Sequence, residues 1–450
     1  MEKPFSPNSL VIAVACVLVF ATGCMAGEEC TDIAPVWSGH PVGFSLCSTP
    51  ERQFVGFYDA ERRLTIASRD VEGKAWKFAI LPEVIGWDSH NYIAMAVDDN
   101  GDIHLCANMH AVPLIYFRTS RPGSVDSFQR ISSMVGSNEA RCTYPVFFRG
   151  PANEFIFAYR SGTAGNGEQF YNVYDHKMKT WKRLFDKPLF SGEGKMSAYA
   201  TGLRRFPDGY YHVAWVWRDP GCCSLNHDIC YARSKDLIHW ETSTGKPLEL
   251  PITLKTADIV DPIPVKGGLL NGGVTVGLDS KKRVVVSYHK FDEHGNNQVY
   301  NARLEDGRWK IYQTSNWDYR WEFSGGGSIV TEIRVGVLTV DADGKLSLAY
   351  QHPKQGHGTW ILNEETLKPI EDIRRSPAPA PSAEKPDPNA PPKLEAKASA
   401  DSGSTGEAGV RYVLRWETLG PNRDRPREGK LPGPTMLRVC RQEMAPATGK

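Results

Sequence analysis

Four residues of this 450-residue chain have the types and spacing for proton transfer beside an anion: His90, His110, Tyr144 and Arg160. The two histidines flank a hairpin pattern within SHNYIAMAVDDNGDIHLCANMHAVPLIYFRT, where Ile93 to Val97 and Ile103 to Cys106 alternate apolar residues around Asp98-Asp99-Asn100-Gly101. Antiparallel strands bring the outer ends of such a hairpin together, so the imidazoles are expected to meet, with Asn91 and Asn108 beside them. Tyr144, in CTYPVFFRG, starts one strand and Arg160, in FAYRSG, ends the next, which places both at one edge of a second hairpin. Taken singly, each residue has a plainer role as a strand cap, a rim aromatic or a solvated cation. Together, with few carboxylates to form the usual glycosidase pair, they suit an anionic ligand and β-elimination from a uronic acid. That reaction needs cations or donors on the uronate carboxylate to make the C5 proton removable, a base for the proton, and an acid for the departing O4. Arginine matches a carboxylate through its fork, and histidine can fill either proton-transfer role. Tyrosine is a poor base at its ordinary value of about 10, which neighbouring cations lower.

Further candidates lie along the chain. WVWRDPGCCSLNHDICYARS puts Arg218 at a strand end and sets Cys222, Cys223, His227 and Cys230 at spacings that a zinc ion accepts, although the paired CxxC pattern is missing and a disulfide at Cys222 or Cys223 is an equal reading. Tyr288-His289-Lys290 ends another strand, and Tyr319-Arg320-Trp321 precedes Gly325-Gly326-Gly327. His289, Lys290 and Arg320 are therefore candidate substrate contacts, with Asn91, Asn108 and Arg218. The glycine run lacks the lysine and strand-to-helix setting of a phosphate loop, and reads as a tight turn where backbone or ligand approaches closely.

The elements that must hold these residues are short strands. Val42 to Arg52, Gln53 to Tyr58, Leu64 to Ser68 and Lys74 to Ile80 read as a four-stranded meander, and the histidine hairpin follows directly. From there a phrase recurs: a turn rich in Asp, Asn and Gly, then an alternating strand ending in aromatics. It begins at Asp98, Gly150, Pro207, Asp279 and Asp341. This spacing leaves room for about four strands per copy, the size of a β-propeller blade, and favours radial repetition over a β-sandwich. Residues 376–409 are rich in Pro, Ala and Ser with almost no large apolar side chain, so a disordered insert is expected there. Alternation returns in Val410 to Trp416 and Thr435 to Arg441, and residues 410–442 are expected to pack back onto the propeller of residues 30–375.

Composition agrees with an all-β chain: 10% aromatics, 41 Gly and 31 Pro, with no long stretch of helical periodicity. A net charge of +1 supplies no basic field for nucleic acid. Residues 1–26 read as an export leader, with an apolar run from Leu10 to Phe20. Ala21-Thr22-Gly23-Cys24 resembles a bacterial lipobox, which would make Cys24 a lipid anchor, and an ordinary cleavage site is the equal alternative. The expected location is outside the bacterial cytoplasm: secreted, periplasmic or an outer-membrane lipoprotein. The ten cysteines permit disulfides there, but their pairing is not readable.

The segments SHNYIAMAVDDNGDIHLCANMHAVPLIYFRT, CTYPVFFRGP, FAYRSG, NHDICYARS, SYHKFD and WDYRWEFSGGGSI resemble the BNR-repeat propeller lyases, a group that includes ulvan lyases and L-rhamnose-α-1,4-D-glucuronate lyases. The resemblance runs from about Gly39 to Arg441, interrupted by the Pro-rich insert. It implies a seven-bladed β-propeller of four-stranded antiparallel blades with its active site on one face. It carries the family's two histidines onto His90 and His110, its catalytic tyrosine onto Tyr144 and its carboxylate-neutralising arginine onto Arg160. A related propeller family cleaves the rhamnose–glucuronate bond by hydrolysis with a histidine in an early strand. The corresponding PERQFVGFYD has Gln53 there, which favours elimination. The expectation is a lyase acting at O4 of a glucuronate or iduronate in an anionic, rhamnose-containing polysaccharide or oligosaccharide. Its chemistry would need no cofactor, a structural zinc or calcium ion is an expected addition, and the chain would act as a monomer. The alternatives are an α-L-rhamnosidase-like hydrolase and a non-catalytic carbohydrate-binding propeller.

Overall fold

Three copies of the recurring turn, at Asp98, Asp279 and Asp341, are built on one hydrogen-bonding device. The carboxylate of Asp98 accepts the backbone N–H groups of Asn100 and Asp102, both at 2.9 Å. Asp59, Asp279, Asp292 and Asp341 each hold the N–H groups two and four residues on in the same way. A side chain that satisfies two turn donors locally lets the chain reverse and start the next strand. The phrase copies at Asp98, Asp279 and Asp341 share this device, whereas at the copies beginning at Gly150 and Pro207 Glu154 accepts the Ala152 N–H at 2.8 Å and Asp208 the Tyr210 N–H at 3.1 Å.

The structure is a computed structural model that describes residues 28–375 and 394–443; the leader, with Cys24, lies outside them. Among the described residues the strands form six sheets, where a sandwich has two. A first meander comprises Ser45–Ser48, Arg52–Tyr58, Arg63–Asp70 and Lys77–Val84. A second comprises Ala94–Val97, Ile103–Cys106, Tyr116–Thr119 and Phe128–Ile131. A third runs through Cys142–Arg149, Phe155–Thr163, Asn166–Asp175 and Thr180–Arg183. It is joined by the parallel pairing of Gly167 with Ser197 to a fourth around Tyr211–Arg218 and Asn226–Ser234, giving one twelve-stranded sheet. The next two sheets centre on Val284–Phe291 with Asn297–Glu305, and on Leu346–His352 with Gly356–Leu362. Inward-facing aromatics pack between neighbouring sheets: Trp181 lies edge-on to His104 of the second meander and tilted against Phe155 and Phe157 of the third.

The last sheet joins both ends of the chain. Glu28–Val36 pairs with Thr435–Glu443, which pairs with Val410–Leu419 and then Leu394–Ala400. The Cys30–Cys440 disulfide fixes that junction across 410 residues. The alternating C-terminal segments are thus strands paired with each other and with Glu28–Val36. The expected disordered insert over 376–409 is too long at its C-terminal side. Leu394–Ala400 is a strand whose hydrogen-bonding partner is supplied wholly by Val410–Leu419, so its own small and polar residues need bury little. Residues 376–393 lie outside the described residues.

Candidate functional site

The histidine hairpin forms as expected, with Ala94 opposite Cys106 at its open end. Beyond that end the rings of His90 and His110 stack, centroids 4.0 Å apart at 22°. His110 opens the short strand His110–Val112, which leaves the second meander and pairs with Cys142–Arg149. This strand exchange carries the imidazoles to Tyr144. The register of Cys142–Arg149 against Phe155–Thr163 slips between Thr143 and Val146, and Tyr144 in that bulge has φ +59°. A left-handed conformation is unfavourable for an aromatic residue, and a bulge re-aims its side chain. The ring of Tyr144 points at the histidines, 5.7 Å from His90, and the Arg160 guanidinium lies over it at 4.8 Å.

Two carboxylates that sequence reading did not single out complete the centre. Asp88 bridges the histidines: Oδ1 is 2.7 Å from Nδ1 of His90, and Oδ2 makes a short hydrogen bond with Nδ1 of His110. Desolvation would raise the acidity range of Asp88, but its hydrogen bonds to His110 and His90 outweigh this and hold the carboxyl well below the usual range. Asp88 is therefore ionised and accepts from both rings. An imidazole whose Nδ1–H is engaged this way, when neutral, carries its lone pair on Nε2. The second carboxylate, Asp424, comes from the final sheet's long connection. Its Oδ1 accepts from Ser89 N (3.1 Å) and Oγ (2.9 Å) and lies 3.1 Å from Nε2 of His40, while Oδ2 lies 3.5 Å from Nδ1 of His90.

The Gly325-Gly326-Gly327 run explains how Asp424 arrives. A side chain on Gly327, which has φ +71°, would meet the Arg423 carbonyl oxygen at 2.2 Å. Glycine thus allows the Arg423–Asp424 backbone to lie against this turn, where Arg423 N donates to Ser328 O at 3.1 Å.

On the other side, Arg160 Nη1 donates to the Tyr199 hydroxyl at 3.1 Å, and Arg218 lies 5.6 Å from the same ring. Arg160 is only 4% exposed, and its Nε and Nη2 have no hydrogen-bond partner. Buried guanidinium donors left unpaired are costly, which marks them as waiting for an acceptor. Desolvation, reinforced by Tyr199, pushes the Tyr144 phenol up, and Arg160 and Arg218 only partly offset this. Tyr144 is therefore a protonated donor at neutral pH.

The other sequence candidates separate from this group. Asn91 is buried beside it, its carbonyl accepting from the Tyr58 hydroxyl at 2.7 Å. Asn108 turns its amide to Glu83 at 2.9 Å. His289 is 1% exposed beneath Gly273 and Trp321, and burial lowers it to about 4, so it is a neutral interior histidine and not a surface contact. Lys290 is held by Asp261 at 2.6 Å, and Arg320 by Glu322 and the Gly295 carbonyl, so both strand-end cations already have acceptors.

The four proposed zinc ligands do not assemble. Cys230 is fully buried in the core, His227 sits between Asp228 (2.8 Å) and Asp219 (3.5 Å), and Cys222 accepts from Gly325 N at 2.8 Å. Cys222 and Cys223 are free thiols, so the disulfide alternative fails as well. Among the described residues, the three-residue groups with ligand atoms close enough for an ion are Asp88, His90 and His110, and the disulfide pair Cys30 and Cys440 with Glu28.

A family model for the BNR repeat-containing family matches residues 52–317, more than half of the chain. The chain belongs to that family. Its fold is similar to the crystal structure of polysaccharide lyase Uly1, with a TM-score of 0.61 and 13% identity over 94% of this chain and 100% of that one. An ulvan lyase structure matches with a TM-score of 0.55 and 13% identity over 91% of this chain and 95% of that one. The same enzyme bound to -[GlcA(1-4)Rha3S]- gives 0.55 and 12%. No curated protein matches the chain. At such identities the likeness concerns the fold.

Proposed function

We propose that this family member is a polysaccharide lyase that cleaves the bond to O4 of a uronic acid by β-elimination, and that its sheets close as a seven-bladed β-propeller around the site. The observation that carries the reading is the buried, unpaired face of Arg160 set against Tyr144 and the Asp88-bridged histidines. The free Nε–H and Nη2–H of Arg160 form a fork for the uronate carboxylate, and neutralising that carboxylate lets charge develop at C5. An imidazole Nε2, its opposite nitrogen held by Asp88, takes the C5 proton. Tyr144, kept protonated, gives its proton to the departing O4, and a C4–C5 double bond remains. Gln53 supports elimination over hydrolysis: it is fully buried, bonded to Ser48 Oγ at 3.2 Å and Arg69 Nε at 2.9 Å, and offers no acid or base.

A glucuronate or iduronate next to rhamnose is the proposed substrate unit, as in the oligosaccharide bound by the ulvan lyase of similar fold. Export and monomeric action belong to the same proposal. Incubation with ulvan and with gum arabic, followed by ultraviolet absorbance of the unsaturated uronate, tests it. Chain cleavage without that absorbance would make the enzyme a hydrolase, and binding without cleavage would make it a carbohydrate-binding propeller.

A further inference from the structure

We propose that Asp88, His90, His110 and Asp424 form a site for one divalent transition-metal ion, and that the bound ion and the elimination reaction exclude each other. The ligand atoms of Asp88, His90 and His110 lie within 4.8 Å of one another. The fourth group is independent evidence for a cation. The Asp424 side chain is 9% exposed, its Oδ2 has no hydrogen-bond partner, and that oxygen lies 3.5 Å from Nδ1 of His90. A carboxylate oxygen buried without a donor is costly unless a proton or metal reaches it. Its other oxygen is fully used by Ser89 and His40, so Asp424 cannot turn away.

Two imidazoles with carboxylates select Zn²⁺, Co²⁺, Ni²⁺ or Cu²⁺ over Mg²⁺ and Ca²⁺, which take oxygen. Two carboxylates balance the divalent charge. Metal–ligand distances of about 2.0–2.2 Å put tetrahedral ligand atoms about 3.4 Å apart, so as the ion replaces the two hydrogen-bonded protons the His90 ring draws back from Asp88 by ~0.7 Å and the His110 ring, which starts closer, by somewhat more.

Coordination through Nδ1 changes what the rings offer. In the hydrogen-bonded arrangement Nδ1 carries the proton and Nε2 the lone pair. With a metal on Nδ1, the proton of the neutral ring resides on Nε2, which becomes a donor. The base is then lost although every residue is in place. This consequence rests on the lyase reading, whereas the binding site does not.

The test uses the full chain, stripped with a chelator, desalted and titrated with Co²⁺. The expected result is a visible d–d absorption band that saturates at one equivalent and is abolished by Zn²⁺. Asp88→Asn and His110→Gln should each weaken Co²⁺ binding by about 10–100-fold, Asp424→Asn by about tenfold, and Cys222→Ser not at all. Selective paramagnetic shifts of the His90 and His110 ring protons in the wild-type protein give the same answer without a variant. Absence of the band, its survival in both Asp88→Asn and His110→Gln, or its loss in Cys222→Ser would overturn the site. In parallel, Zn²⁺ should suppress formation of the unsaturated product with the half-saturation seen in Co²⁺ displacement; a bound ion with undiminished turnover would overturn the exclusion. Turnover without a Co²⁺ band refutes the metal site alone, and a band in the loaded protein together with no turnover by the metal-free protein refutes the lyase reading alone.

Discussion

Replacing Asp88 with asparagine removes one oxygen and leaves the packing nearly unchanged, so it isolates what the shared carboxylate does. Asp88 accepts from Nδ1 of both histidines. Asparagine can accept from one ring through its oxygen, but its NH₂ group faces the other ring and donates. That second ring must then accept at Nδ1 and carry its proton on Nε2, where it no longer serves as a base. The imidazolium formed during proton transfer also loses its counter-charge. A positioned general base contributes about 10²–10⁴ in rate, which is about 3–5 kcal/mol of barrier. One ring keeps its Nε2 lone pair, so the loss comes from the missing counter-charge and the mis-set second ring. The expected result of Asp88→Asn is therefore a fall in kcat of about tenfold or more, up to that factor, with little change in KM because the Arg160 fork is untouched. Initial rates of unsaturated-product formation on ulvan, at limiting and saturating substrate, measure both constants. A kcat within about threefold of wild type, less than 1 kcal/mol, would refute the claim that Asp88 sets the imidazole tautomers.

Gly327→Ala should lower kcat about tenfold or more while the protein stays folded by circular dichroism. Its Cβ would meet the Arg423 carbonyl at 2.2 Å in a left-handed backbone, displacing Asp424 from His90; unchanged turnover would argue against any role for the Asp424 loop. Cys440→Ser opens the covalent link between the first and last strands and should cost about 2–5 kcal/mol in chemical denaturation; an identical midpoint for wild type with and without reductant would contradict this. Burial, the largest cause in each case, raises Tyr58, Tyr144 and Tyr288 above the ordinary tyrosine value, so the native state holds protons that the unfolded chain releases. Their contribution is fully present below about pH 10 and declines above it, so phenolate absorbance of these residues should appear together with unfolding. Phenolate signal from all tyrosines before any loss of structure would refute it.

Much of the fold is legible because its repeat is local. An aspartate that bonds the N–H groups two and four residues on leaves a mark within five residues of sequence, and the aromatics that pack between sheets close the following strand. Leu394–Ala400 was not legible for the opposite reason. LEAKASA has the composition of a linker, and its strand state depends on backbone bonds from Val410–Leu419. The strand-end cations show a second limit. Lys290 has the position of a ligand contact, but Asp261, which neutralises it from 29 residues away, is identified only by the folded geometry, whereas Glu322 stands two residues from Arg320 in the sequence.

The site divides along the same line. His90 and His110 meet because one hairpin joins them, and Asp88 could have been found two residues before His90, where its carboxylate also accepts the His90 backbone N–H at 2.9 Å. Asp424 has no such local signal: 335 residues separate it from Ser89, and it lies in a polar connection of no periodicity. It reaches the histidines through the sheet in which Glu28–Val36 pairs with Thr435–Glu443. The sheet that joins the chain's two ends is therefore also the one that delivers the last carboxylate. Weakening that junction, by reduction of Cys30–Cys440 or by loss of the N-terminal strand, should disturb the His90 environment before the other sheets melt. The histidine cluster thus depends on the least local contacts of the chain, even though most of its side chains come from the most local ones.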